Sequence, residues 1–136
     1  MYPKSSVLSL FTSYQAGQKD FKYNPDLSVC NSIEELNRLL PDDKGNAMFS
    51  GMAMRSDYNI EKLSPYSGNG IEMIRVTAHD YDIEEGMIFA RQVKEKGYKL
   101  SINPINIMGY SDSRLLWILE NVNRIHPYQF SIVDTF

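Results

Sequence analysis

The chain has one cysteine, Cys30, so no disulfide can form within it, and we expect a reducing, cytoplasmic location. Long apolar runs are missing as well. The longest, 71–78, contains Glu72 and Arg75, which predicts no transmembrane helix. Positive charge is not in excess, because 14 Lys and Arg face 17 Asp and Glu, for a net charge of −3. We therefore expect neither a nucleic acid nor a membrane surface among the partners.

Motifs typical of cofactor sites are also absent. No predicted strand is followed by G-x-G-x-x-G and there is no P-loop, which argues against the common nucleotide-binding folds. The sequence has no H-x-H, no H-E-x-x-H and no cysteine cluster, so we predict that this chain holds no metal by itself. The Gly-containing stretch 67–70 precedes a predicted strand and is interpreted as a connecting turn.

What the sequence does contain is an alternation of strands and helices. Residues 1–31 have no clean periodicity and are predicted to form an irregular, aromatic-rich arm, whereas 32–136 are predicted to form β/α units. The predicted strand centres are 26, 26 and 30 residues apart, which predicts a parallel sheet with helical crossovers and hence an α/β fold. Those centres are Phe49, Arg75, Ser101 and Ser131, in strands predicted at 47–54, 73–78, 98–103 and 129–133.

Capping residues predict where the helices begin and end. Ser32 followed by Glu35 forms a capping box before a helix that Pro41 ends. Asp82 is predicted to cap a helix over 83–96, which Gly97 ends in a left-handed conformation. Ser111 is predicted to cap the next helix.

Two predicted strands have one apolar face and one polar face. A doubly wound sheet carries helices on both faces and does not tolerate Arg75 within a strand, whereas a closed barrel can be polar inside near its mouth. The alternative is that Arg75 lies on an edge strand or pairs with a buried carboxylate. The polar positions are Arg75, Thr77, His79, Ser101 and Asn103, and the apolar ones are Ile74, Val76, Ala78, Leu100 and Ile102.

Parallel α/β proteins bind their ligands at the carboxyl ends of the strands. The side chains predicted there are two amides, a histidine, an arginine and two or three carboxylates, which suit a polar, anionic small molecule better than a nucleotide. His79 has a second interpretation, in which it only hydrogen-bonds a backbone group at a helix entry. We predict no catalytic residue in this chain, and the predicted substrate-binding residues are Arg75, His79, Asn103, Asn106, Asp134 and Thr135.

Four segments, in their order and spacing, carry a resemblance to a known family. They are Ile74-Arg75-Val76 with His79, Gly97-Tyr98-Lys99 leading into Ser101-Ile102-Asn103-Pro104, Tyr110-Ser111-Asp112, and Val133-Asp134-Thr135-Phe136. Together with 21–26 they resemble the middle of the 4-hydroxy-2-oxovalerate aldolase group. That group belongs to the metal-dependent lyases and Claisen-type synthases, which include hydroxymethylglutaryl-CoA lyase and isopropylmalate synthase. The resemblance covers about residues 20–136.

The resemblance implies a (β/α)₈ barrel in which the four predicted strands are the third to the sixth. It also implies that a carbon–carbon bond next to the carbonyl of a 2-keto acid is cleaved or formed, with Mn²⁺ or Mg²⁺ stabilising the enolate. Asp134 and Thr135 match the D-T-x-G motif of the sixth strand. Asn103 and His79 fall where family members line the pocket.

Two family motifs are missing: D-x-x-x-R-D-G, which supplies a metal ligand and the catalytic arginine, and H-x-H, which supplies two more ligands. Because such a barrel needs about 250 residues, the leading hypothesis is the central half of an aldolase-like lyase, inactive alone, whose full-length parent binds the metal and the keto acid. A second hypothesis is a non-catalytic half-barrel that forms a homodimer through its exposed sheet edges. A third is a flavodoxin-like domain that binds a small anion.

Overall fold

The computed structural model describes residues 32–38, 40, 42, 48–54 and 58–133. The arm predicted at 1–31 and two predicted site residues, Asp134 and Thr135, lie outside the described residues. The strands are β1 (Ser50–Met54), β2 (Met73–Ala78), β3 (Lys99–Pro104) and β4 (Gln129–Phe130), and the helices are α1 (Ile33–Asn37), α2 (Ile83–Glu95) and α3 (Asp112–Ile125). Short 3₁₀ turns occur at Ile60–Lys62, Asp80–Asp82 and Ile107–Gly109.

The four strands form one parallel sheet in the order β1-β2-β3-β4. The predicted α/β fold with a four-stranded parallel sheet and flanking helices is therefore confirmed. Consecutive strands are neighbours throughout the described sheet, which is compatible with part of a barrel and favours that interpretation over the reversed order of a flavodoxin-like sheet.

Three strands differ from their predicted bounds, and the first of them, β1, begins at Ser50, with residues 48–49 outside it. Pro104 is the last residue of β3. The pairing with β2 extends one residue further, because the amide of Ile105 donates to Ala78 O at 3.0 Å. β4 is only two residues long, although the amide of Ser131 donates to Ile102 O at 3.0 Å and so continues the pairing. Residues 129–131 thus pair with β3, with regular strand geometry only at 129–130.

The predicted helix caps at Gly97 and Ser111 are confirmed, and at Ser32 the serine half of the predicted capping box is confirmed. Ser32 Oγ accepts the amide of Glu35 at 3.1 Å, and Ser111 Oγ accepts that of Arg114 at 3.2 Å. Gly97 has a φ of +98°, as the left-handed end of α2 requires.

The cap predicted at Asp82 is wrong in its detail. Asp82 precedes α2, but its carboxylate makes no capping bond to the first turn. Instead, Asp82 Oδ1 accepts the backbone amide of His79 at 2.8 Å, which closes the turn between β2 and α2. The carboxylate therefore fixes the loop rather than the helix.

α2 covers the apolar face of β2 and β3. Its residues Ile83, Met87, Ala90 and Val93 are buried, and the helix lies close to β2 at Gly86, where an added Cβ would lie 2.7 Å from Ala78 Cβ. On α3, Ile118 and Ile125 are buried, whereas Leu119 is 46% exposed. None of the described helices has the length and apolar character needed to cross a bilayer.

Tyr98 leads us to expect a loss of stability at alkaline pH. Its hydroxyl donates to Ser64 O at 2.7 Å, and burial, followed by the charge of Glu34, raises its pKa to about 12. The unfolded chain, with a tyrosine pKa of 10.0, ionises first. The stabilisation is therefore complete below pH 10 and is lost as the pH rises through about 12.

Denaturant unfolding combined with tyrosinate absorbance measures this effect. The Tyr98→Phe variant should show a shallower alkaline decline than the native chain. Equal declines in the two proteins, or ionisation of Tyr98 near the ordinary tyrosine pKa of 10.0, would contradict the assignment.

Candidate functional site: the polar face of the sheet

Apart from Met73, the side chains of β2 and β3 that point away from α2 are polar. In the parallel register Arg75 pairs with Ser101 and Thr77 pairs with Asn103. Since side chains alternate between the two faces of a strand, these four lie together on one face. We call Arg75, Thr77, Ser101 and Asn103 the polar-face cluster.

The cluster is buried although it is polar. Thr77 is 4% exposed, and Ser101 and Asn103 are 0% exposed. Ser101 Oγ donates to Asn103 Oδ1 at 3.0 Å, and Thr77 Oγ1 lies 3.5 Å from Ala53 O. Asn103 Nδ2 has no hydrogen-bond partner among the described residues, so its amide is satisfied on the oxygen side only. A buried amide donor without an acceptor costs about 1–3 kcal/mol.

Among the described residues, Arg75 has neither of the structural explanations that the sequence left open. β2 lies between β1 and β3, so Arg75 is not on an edge strand. The ion pairs within the described part of the chain are Lys99–Glu72 and Arg124–Glu120, and no carboxylate there pairs with Arg75. The alternative of an edge position or a carboxylate partner is therefore wrong for the described residues.

The guanidinium of Arg75 is partly buried, and its Nε is fully covered. Nε has no hydrogen-bond partner among the described residues, and burial lowers the pKa of the group below its usual value. A cation in such a place is destabilising unless an anion compensates it. Arg75 Nε and Asn103 Nδ2 are both N–H donors on the same face of adjacent strands, which is a chemical set suited to a carboxylate.

His79 and Asn106 lie in the loops after β2 and β3, at the carboxyl end of the sheet. The ring of His79 stacks on Tyr81 with 4.8 Å between centroids, and its amide is bound by Asp82. Asn106 adopts a left-handed conformation, with φ of 56°, and its carbonyl accepts the amide of Gly109 at 3.0 Å. Both residues thus have turn-forming roles, and their predicted part in ligand binding stays a prediction.

The sequence prediction of the site omitted Thr77 and Ser101. Both are polar positions in the strand alternation. Their pairing, Thr77 with Asn103 and Ser101 with Arg75, is the observation that places them in the site. No group of three or more metal-ligating side chains exists among residues 32–133 as far as the structure describes them.

No family model, curated protein or solved structure matches this chain. The polar-face cluster and the loops above it are therefore the observations from which a function is inferred.

Proposed function

We propose that the polar-face cluster binds the carboxylate of a small 2-oxo acid. The observation that carries the proposal is Arg75, a partly buried cation on an internal strand whose Nε lacks an acceptor among the described residues. A ligand carboxylate would supply both the missing charge and the missing acceptor. The unpartnered Nδ2 of Asn103, two positions further along the same face of the neighbouring strand, is a second donor for the carboxylate or the adjacent keto oxygen.

We further propose that the chain is the central β/α segment of an aldolase-like (β/α)₈ barrel. The sequential strand order and the resemblance of the segments around Arg75, Asn103 and Asp134 support this assignment. In that role the chain anchors and orients the 2-oxo acid for making or breaking a carbon–carbon bond. Among the described residues there is no cluster of ligands for the Mn²⁺ or Mg²⁺ of such a reaction.

Calorimetric titration with pyruvate, the smallest 2-oxo acid, tests the binding proposal. Pyruvate should bind, pyruvamide should bind at least tenfold more weakly because it lacks the charge, and Mn²⁺ alone should give no thermal stabilisation. Equal binding of pyruvate and pyruvamide, or no binding of either, would contradict a carboxylate site. Specific stabilisation by Mn²⁺ would contradict the view that the metal ligands lie elsewhere.

A second candidate function is that of an interaction module that dimerises through its sheet edge. β4 pairs with β3, and no second strand pairs with it in the described part of the chain. Tyr128 and Ile132, which flank it, are 60% and 68% exposed. Unpaired edges and exposed apolar side chains favour association. Light scattering after size exclusion should then show a dimer that Ile132→Lys dissociates, whereas a monomeric native chain would contradict this function.

A further inference from the structure

A groove of about 560 Å³ lies outside the polar-face cluster, between the loop after β2 and the first turns of α3. This volume is within the range of small-molecule sites. The side chains that matter for its chemistry are Asp80, Tyr110, Ser111, Ser113, Arg114 and Trp117.

One wall of the groove is rich in hydrogen-bond donors. α3 is fourteen residues long and begins there, so its positive end and the amides of its first turn lie at the groove. The hydroxyls of Ser111 and Ser113 are 3.2 Å apart and exposed. One turn along, the guanidinium carbon of Arg114 lies 5.2 Å from the ring centroid of Trp117, so an aromatic surface adjoins the charge.

Tyr110 provides an independent indication of a ligand. The residue is 9% exposed and lines the groove, and its hydroxyl has no hydrogen-bond partner among the described residues. Its pKa is raised to about 12, first by burial and then by the charge of Asp80, while Arg114 acts in the opposite direction. The covered hydroxyl therefore lies within the electrostatic field of Asp80 and Arg114, which also line the groove.

We propose that this groove binds the phosphate group of a small organic phosphate. Three hydroxyls, a guanidinium and the start of a long helix offer more donors than a carboxylate accepts, and they suit a tetrahedral anion with several oxygens. The volume exceeds that of a bare ion, and Trp117 provides a flat surface for the organic part. Asp80 opposes the anion from the facing loop and so limits its affinity. This inference is independent of the 2-oxo acid proposal, because the two sites share no residue.

The fluorescence of Trp117 is a direct readout, since it is the chain's one tryptophan. Phenyl phosphate should change this fluorescence in a saturable way and raise the melting temperature. Phenol should have at least tenfold lower affinity, and inorganic phosphate should bind but more weakly than phenyl phosphate. Equal affinity for phenol and phenyl phosphate, or no saturable change with either phosphate, would overturn the proposal.

Four variants identify the groups involved. Arg114→Met should weaken phenyl phosphate binding at least tenfold, whereas Arg124→Met, which removes the same charge near the other end of α3, should change it less than twofold.

Asp80→Asn should strengthen binding severalfold. Tyr110→Phe should weaken binding severalfold without lowering the melting temperature, because its hydroxyl has no partner to lose among the described residues. Equal losses of affinity in the two arginine variants, or unchanged binding in Tyr110→Phe, would overturn the assignment. If a variant no longer shows a fluorescence change, the shift in melting temperature measures binding instead.

Discussion

Arg75→Met should weaken pyruvate binding at least tenfold while making the fold more stable. Methionine is similar in length and apolar, so it removes a partly buried cation for which the described residues offer no anion. Removal of the unsatisfied Nε donor alone should raise the free energy of unfolding by about 1–3 kcal/mol. The loss of a charge-assisted hydrogen bond should weaken pyruvate binding by about 10- to 100-fold.

Opposite changes in stability and affinity distinguish a binding arginine from a structural one. A structural Arg75 would lose stability on substitution, as partners of buried ion pairs do. Arg91→Met is the matched control, because Arg91 is exposed on α2 and its removal should change the stability by less than about 0.5 kcal/mol and leave pyruvate binding intact. Denaturant unfolding and calorimetric titration of the three proteins measure both quantities. A destabilised Arg75→Met protein that still binds pyruvate would contradict the proposal.

Gly86→Ala should destabilise the fold even though alanine is the better helix former. The substitution gains about 1 kcal/mol of helix propensity, but the new Cβ would lie 2.7 Å from Ala78 Cβ. Carbon atoms pack at about 3.5–4.0 Å, so α2 has to move away from β2. Overpacking of this kind costs about 1–3 kcal/mol, and we expect a net loss of about 1 kcal/mol or more.

The reciprocal change at Ala78 tests whether this contact is the cause. Ala78→Gly/Gly86→Ala restores the space between helix and strand, so the double variant should be more stable than the sum of the single effects by about 0.5–3 kcal/mol. Denaturant unfolding of all four proteins completes the cycle. Strict additivity would contradict the close packing of α2 on β2.

The fold could be predicted from the sequence wherever one local signal decided the outcome. The bounds of β2 follow from the alternation of apolar and polar residues between two turns. Gly97 predicts where α2 ends, and Ser111 predicts where α3 begins. The role of Asp82 could not be predicted, because a carboxylate before a helix can accept either the helix amides or the amide of His79. The loop geometry determines which of these amides the carboxylate accepts.

The site was predictable only in part, for the same physical reason. Alternation placed Arg75 and Asn103 on a polar face, but it did not show that Arg75 lacks a carboxylate among the described residues, since that depends on long-range contacts. The groove at α3 escaped prediction because Asp80 and Arg114 are 34 residues apart and meet only in the folded chain, where Arg114 Nη2 lies 3.5 Å from Asp80 O. Such juxtapositions leave no periodic signal.

The Arg75 Nε–H resonance in a nitrogen-15 NMR spectrum tests the central claim most directly. The signal is identified by its absence in Arg75→Met, and that of the exposed Arg91 provides the internal reference. If the polar face binds a carboxylate, pyruvate should move the Arg75 signal in a saturable way, with the same dissociation constant as calorimetry, and leave the Arg91 signal in place. Saturable pyruvate binding that leaves the Arg75 Nε–H unchanged would contradict the account.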